Sequence, residues 1–209
     1  MSTAQKTHHH RPGAVVDVIT ALSMTVGRGR AARVAADLAH VGPNDRVADI
    51  GCGPGTAIRE ATRRGAQATG VDPSPTMLRL ARWITALTRV TGPTFIEGTA
   101  EALPLPDRSA DVVWALSSLH HWTDRTRGFG EALRVLSPGG RLLIAECSVK
   151  HGARGYAAHG LTTEDDADLA QTIEATGFLK VERQTRRAGR RTLVLITATS
   201  PLPTSTGER

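Results

Sequence analysis

The chain has 209 residues, 40% hydrophobic and 22% charged, which suits one compact domain with a real core and leaves no room for a second. Its net charge of +6 invites a nucleic-acid reading, but three lysines (Lys6, Lys150, Lys180) beside 23 arginines and abundant alanine carry the skew of a GC-rich genome rather than selection for phosphate contact. No apolar run approaches a membrane span, the opening MSTAQKTHHHRPG lacks a signal-peptide core, and Cys52 and Cys147 are too few for a disulfide framework, so the expected setting is cytoplasmic, with reduced, packed thiols.

In chain order, residues 1–13, with His8, His9 and His10, read as a flexible polar tail rather than a metal site. The domain is expected over residues 14–199, with a second tail over 200–209. Val15, Val18, Ile19 and Leu22 follow helical spacing and predict a first helix lying over the body. Gly27-Arg28-Gly29-Arg30 interrupts that pattern. A second helix, with Ala31, Val34, Ala35 and Leu38 on one face, ends near Gly42-Pro43. Arg28 and Arg30 read as solvated loop charges, with a ligand carboxylate as the alternative partner.

The stretch Val47-Ala48-Asp49-Ile50-Gly51-Cys52-Gly53-Pro54-Gly55 organises the rest. An apolar run ending in an acid and three alternating glycines, followed by a helix from Thr56, predicts a strand, a tight turn and a helix N-terminus whose N–H groups can face a ligand. The spacing Asp-x-Gly-x-Gly-x-Gly differs from the Gly-x-Gly-x-x-Gly that holds a dinucleotide pyrophosphate, so a nucleoside without phosphates is the better ligand. Gly65 stops the helix, and a strand over Ala68–Val71 ends in Asp72. Asp72 lies 21 residues after Gly51, the span a strand-helix-strand unit needs to set a carboxylate beside a ribose. Ser74 and Pro75 read as an N-cap and first helical residue, and Met77, Leu80, Ala81, Ile84 and Leu87 as the buried face of that helix.

Further strands are expected over Thr94–Glu97, Asp111–Ala115 and Arg141–Glu146, with a helix from Asp124 to Leu136 and a turn at Ser137-Pro138-Gly139-Gly140. Strands alternating with helices predict a mostly parallel, doubly wound α/β sheet with its loops at one edge.

With these loops in order, Ala31 to Thr199 resembles a class I S-adenosylmethionine-dependent methyltransferase of the small-molecule branch that includes quinone-biosynthesis enzymes. VADIGCGPG, GVDPSPTML, EGTAEALPLPDRSADVVWALSSLHHW and SPGGRLLIAE carry the likeness. It implies a single seven-stranded sheet, Rossmann-like, whose last strand is antiparallel, and the runs Leu179–Arg183 and Leu193–Ala198 fit the closing hairpin. It further implies S-adenosylmethionine as methyl donor, with S-adenosylhomocysteine as product. Gly51, Cys52, Gly53 and Gly55 would line the donor's amino-acid and ribose side, Asp49 would hold its amino group, and Asp72 with Pro73 its ribose. Ala100 would meet the adenine edge, and Ala115 or Leu116 the methionine moiety. Many relatives carry an aspartate where this chain has Thr99, which can still accept from the adenine amino group but without charge assistance.

Methyl transfer from a sulfonium is an in-line displacement, so positioning and exclusion of water do much of the work. A base is needed only for an acceptor that must lose a proton, and His120 and His121 are the candidates; the alternatives are that they line the pocket, or that one caps or packs against the next helix while Trp122 closes the pocket. The segment Cys147–Thr162, with His151, Tyr156 and His159, is a short roof; a large acceptor, a second copy of the chain or a closing lid would complete it. The expected acceptor is a small molecule. A nucleic-acid acceptor, for which Arg183, Arg186, Arg187, Arg190 and Arg191 could track phosphates, is disfavoured by 3% aromatic content and the lack of a base-methylation motif. A donor-binding protein without catalysis is the second alternative, and a nicotinamide oxidoreductase a weaker third.

Overall fold

The computed structural model describes residues 28–149, 160–189 and 191–203. The first helix expected near Val15–Leu22, the histidine run, Arg190, and the roof residues His151, Tyr156 and His159 lie outside them. Chain order is α1 (Arg28–Leu38), β1 (Arg46–Ile50), α2 (Thr56–Arg63), β2 (Gln67–Asp72), α3 (Pro75–Leu87), β3 (Thr94–Glu97) and β4 (Ala110–Leu116). A one-turn 3-10 helix at Leu119–His121 leads to α4 (Arg125–Val135), β5 (Leu136–Cys147), α5 (Thr163–Ala175), β6 (Leu179–Ala188) and β7 (Arg191–Thr199).

The seven strands form one sheet in the order β3-β2-β1-β4-β5-β7-β6. All pairings from β3 to β5 are parallel, and β7 runs antiparallel to both β5 and β6. This is the expected Rossmann-like arrangement with its reversed last strand. In β4 four consecutive residues, Val112, Val113, Trp114 and Ala115, are fully buried, as a central parallel strand covered on both faces requires. Their side chains alternate between two cores. Val112 and Trp114 pack with Ala35, Ile58 and Ala81, from the helices α1, α2 and α3. Val113 and Ala115 pack with Phe129, Leu169 and Ile173, from α4 and α5. Strand order reverses between β1 and β4, which opens a crevice beyond the carboxyl ends of those strands.

Local chemistry accounts for most boundaries. Ser74 accepts the N–H of Met77 at 3.3 Å ahead of Pro75 at the start of α3, and Asp124 accepts that of Arg127 at 2.9 Å at the start of α4. At the opposite edge from the crevice, Arg46 grips Asp111 with Nε to Oδ2 at 2.9 Å and Nη2 to Oδ1 at 2.7 Å. Those bonds hold the Asp111 carboxyl down at about 2. Arg141 pairs with Asp45 at the same edge.

Five expectations shift. Leu87, expected on the buried face of α3, is exposed, and Leu78, Leu80, Ala81 and Thr85 are the residues that helix buries. Helix α1 begins at Arg28 and includes Gly29 and Arg30, which were expected in a loop. Ser137–Gly140 belongs to β5 rather than to a free turn: Leu136 already pairs with Ala110, and a register break absorbs the glycines, Gly139 at φ 73, before Arg141 pairs with Val112. Ser200, expected in the flexible tail, is buried and donates its N–H to Gly140 O at 2.8 Å. Helix α5, with the sequence TEDDADLAQTIEA, was not foreseen, because its apolar face is narrow; Leu169 and Ile173 bury it.

Candidate active site

The carboxyl ends of β1, β2, β4 and β5 bring together Asp49, Asp72, the Ser117–His121 loop and Glu146. The turn after β1 is pinned to β2 by two bonds, from Gly51 N and Cys52 N to Val71 O, at 2.8 and 3.1 Å. Ser118 ties the loop after β4 to the same strand end, its hydroxyl donating to Ile50 O at 2.6 Å. Ser117 between them adopts φ 54, a left-handed conformation uncommon for a side-chain-bearing residue and concentrated at functional sites.

The glycines divide by what a side chain would meet. At Gly51, with φ 73, a Cβ would lie 2.4 Å from Ser118 Cβ, so this glycine is required for the β1 and β4 loops to close on each other. At Gly55 a Cβ would lie 2.8 Å from the Phe95 ring, which makes that position one of packing beneath α2. Gly53, at φ 51, faces open space. Gly51→Ala combines overpacking with a left-handed alanine, about 3 kcal/mol in all, and a melting temperature about 6–12 °C lower is expected. Gly53→Ala pays only the backbone strain, about 1–2 kcal/mol, while placing a methyl in the crevice. Melting curves that coincide for Gly51→Ala and the unmodified protein would contradict this division.

Asp72 accepts the N–H of Gly53 at 2.8 Å through Oδ2 and that of Ser74 at 2.9 Å through Oδ1. An ionised carboxylate has about four acceptor sites, so about two remain for a ligand. Burial raises the pKa of Asp72, against the two backbone bonds and the nearby His121, which lower it. Asp49 is only 2% exposed, and its Oδ1 has no hydrogen-bond partner among the described residues. Burial first, then the charge of Asp72, push its carboxyl up to about 8; Trp114 and Arg28 pull the other way. The Trp114 indole stands across from Asp49 on the paired strand, near enough to act electrostatically, yet its Nε1 also lacks a partner of hydrogen-bond geometry among the described residues. Arg28 is half-buried rather than solvated, its charge acting on Glu146, Cys147 and Asp49, and burial lowers its pKa.

The remaining expected residues fall around this centre. Cys52 is buried, its thiol turned toward Gly70 of β2 and pushed up in pKa by burial, so only its backbone faces the turn. Pro73 and Thr99 are exposed and Ala100 is buried. Ala115 is paired inside β4, and Leu116 is the last residue of the strand. His120 and His121 contact each other with ring centroids 4.1 Å apart. Trp122 packs on Phe129 at 5.3 Å and covers Gly128, so it belongs to the second core.

Four anchoring residues were not foreseen. Glu101 Oε1 accepts the N–H groups of Thr123 and Asp124 at 2.7 and 3.2 Å. Glu131 accepts the Leu103 N–H at 2.8 Å, and Arg134 donates to the Leu103 and Leu105 carbonyls. Together they fix the loop after β3 to α4. The fourth, Glu146, is 1% exposed at the end of β5. Its position resembles that of Asp49 and Asp72, an acid where a strand meets the crevice, and that was the available signal.

Residues 48–144 match the methyltransferase domain family. Over 104 residues the chain is 44% identical to 27-O-demethylrifamycin SV methyltransferase of Amycolatopsis mediterranei, covering 49% of this chain and 38% of that protein. Over 128 residues it is 41% identical to demethylmenaquinone methyltransferase of Deinococcus radiodurans, covering 60% and 52%. The chain thus spans about half the length of these curated relatives, or less. Its fold superposes with a TM-score of 0.77 at 21% identity on a chain of the complex between the Haloferax volcanii Trm112 methyltransferase activator and a methyltransferase, covering 90% of this chain and 97% of that one.

Proposed function

We propose, on the premise that residues 48–144 form a class I methyltransferase domain, that this chain binds S-adenosylmethionine in the crevice between β1 and β4 and delivers its methyl group to a small-molecule acceptor. The observation that carries the reading is the buried Oδ1 of Asp49, unpartnered among the described residues, beside a second carboxylate that keeps acceptor sites open. An orphaned buried oxygen costs about 1–3 kcal/mol, and a ligand ammonium would remove that cost.

The residues fit the donor. It supplies a methyl group already activated on a sulfonium. Asp49 accepts from its ammonium, Arg28 meets its carboxylate, and Asp72 accepts from its ribose hydroxyls. Gly53 leaves the crevice unobstructed. Thr99 and Ala100 border the adenine, on a loop held rigid by Glu101, Glu131 and Arg134. The Ser117–His121 loop borders the acceptor side. Rigid placement of the two reactants in a water-poor cleft is what such a transfer asks of a protein.

The small-molecule acceptor is favoured over nucleic acid by what the arginines do. Strand β6 is the sheet edge, and Lys180, Glu182, Arg183, Arg186 and Arg187 stud it. Charges there discourage edge-to-edge pairing of sheets, which accounts for the basic hairpin without phosphate. Among the described residues no helix is long and apolar enough to cross a membrane, and the proposal keeps the cytoplasmic setting. A large acceptor, a second copy of the chain and a closing lid all stand as proposals for completing the acceptor roof.

Calorimetric titration tests the reading. S-adenosylmethionine and S-adenosylhomocysteine are expected to bind and NADH to give no heat of binding. Binding of NADH alone would move the function to hydride transfer, and silence from all three would leave only the fold.

A further inference from the structure

We infer that the groove between α1, α2 and α3 is a second ligand site, which takes an amphipathic monocarboxylate: an apolar body with a single anionic end. The groove stands apart from the donor crevice, since Asp49, Asp72 and the Ser117–His121 loop have no part in lining it. Each of the three helices contributes one stripe. Thr56, Arg59, Glu60 and Arg63 of α2 follow helical spacing and lie on the face opposite Ala57, Ile58 and Ala61, which belong to the core. Trp83, Ile84 and Leu87 come from α3, and Ala32 and Arg33 from α1. The space they enclose is about 520 Å³, within the range of about 300–1,000 Å³ typical of small-molecule sites.

Two features call for an occupant of this chemistry. The first is a buried charge. Arg59 is only 5% exposed; its Nη1 donates to Pro54 O at 2.6 Å and its Nη2 to Thr56 Oγ1 at 3.4 Å. It has no carboxylate partner among the described residues, and a guanidinium has more N–H donors than those two bonds use. A buried charge without a counter-ion is costly. Burial first, then the charge of Arg63, lower its pKa to about 10, so at neutral pH the cation persists where its surroundings disfavour it. Arg33 and Arg63 add two further positive charges to the lining, while Glu60 is engaged by Arg64 at 3.2 Å. The second feature is apolar. Trp83 and Leu87 are 57% and 61% exposed, on a helix whose core face is already filled by Leu78, Ala81 and Thr85. A ligand body laid on Trp83, Ile84 and Leu87 takes that surface out of water, and its carboxylate supplies the counter-ion that Arg59 lacks. A bare inorganic anion would answer only the first need, and a neutral apolar molecule only the second.

Titration of the full chain with 2-naphthoate tests the site, followed by calorimetry and by the indole N–H resonances, with 2-naphthamide and inorganic phosphate as controls. Trp83→Ala identifies the Trp83 resonance. In the unmodified protein 2-naphthoate is expected to bind and to shift that resonance, equally with and without saturating S-adenosylhomocysteine. The amide and phosphate are expected to bind at least about tenfold more weakly. Arg59→Gln is expected to weaken 2-naphthoate at least about tenfold. Because Arg59 also holds Pro54, the exposed Trp83 provides the second variant: Trp83→Ala is expected to cost about fivefold in affinity with the thermal transition kept. Equal binding of acid and amide, a Trp83 resonance that does not move, or displacement of 2-naphthoate by S-adenosylhomocysteine would each overturn the assignment. So would silence of the probe with Trp83 shielded from acrylamide quenching, which would mean that another part of the chain or a second copy fills the groove. Failure of S-adenosylhomocysteine itself to bind would instead strike the methyl-transfer reading and leave the groove measurement standing.

Discussion

Asp72→Ala is expected to lower S-adenosylmethionine affinity by at least about 100-fold, read by calorimetry at constant pH and salt. Two ribose hydroxyls donating to one carboxylate make two charge-assisted bonds, each about 1.5–3 kcal/mol, and about 1.4 kcal/mol is tenfold in affinity. The effect has a second source. Asp72 also holds the N–H groups of Gly53 and Ser74, so alanine releases the turn that borders the ligand. Asp72→Asn separates the two, because an amide oxygen can keep one backbone bond while the charge is lost; its affinity is expected to fall between the other two proteins. Alanine and unmodified proteins that bind within about threefold of each other would remove Asp72 from the donor site. The thermal transition of each variant, measured in parallel, distinguishes a lost contact from a lost fold.

The legible part of this molecule was what local chemistry dictates. The run VADIGCGPG carried its own turn, the Ser74-Pro75 pair its own helix start, and the spacing from Gly51 to Asp72 its own crossover, and each stands close to where the residues put it. What stayed hidden depends on residues far apart in the chain. Nothing near Gly51 announces that Ser118, on another loop, needs the space its missing side chain leaves. Arg28 read as a loop charge because its partners, Asp49 and Glu146, lie on strands that only the folded sheet brings to it. Glu146 was read as the end of a strand, and its value as an acceptor for the Leu119 N–H arises from β4 and β5 being neighbours. Helix α5 was missed for a different reason: its acid-rich sequence hides a two-residue apolar face that tertiary packing suffices to hold.

Donor affinity is expected to rise about tenfold per pH unit from pH 6 toward 8 and to fall again above it. In the free protein Asp49 has its carboxyl raised to about 8, so at neutral pH it is mostly protonated, whereas the complex with an ammonium requires the anion. Binding must then expel a proton, and linkage makes the affinity climb with pH until the free carboxyl ionises on its own. Above that point the donor's α-amine, with a pKa near about 8, loses its charge and the partner is gone. The released proton is measurable directly, as a calorimetric enthalpy that varies with the ionisation heat of the buffer. The same group acts on stability in the opposite sense. A folded-state pKa above the ordinary carboxylate value means that the native protein retains a proton the unfolded chain gives up, so stability declines as pH rises from about 4 to 8 and then levels. Asp49→Asn is expected to abolish that decline, to stabilise the ligand-free protein at pH 8, and to lose the rising limb of donor binding. An affinity that is flat between pH 6 and 8 in the unmodified protein would mean that Asp49 does not hold the ammonium, and that its orphaned oxygen serves some other ligand.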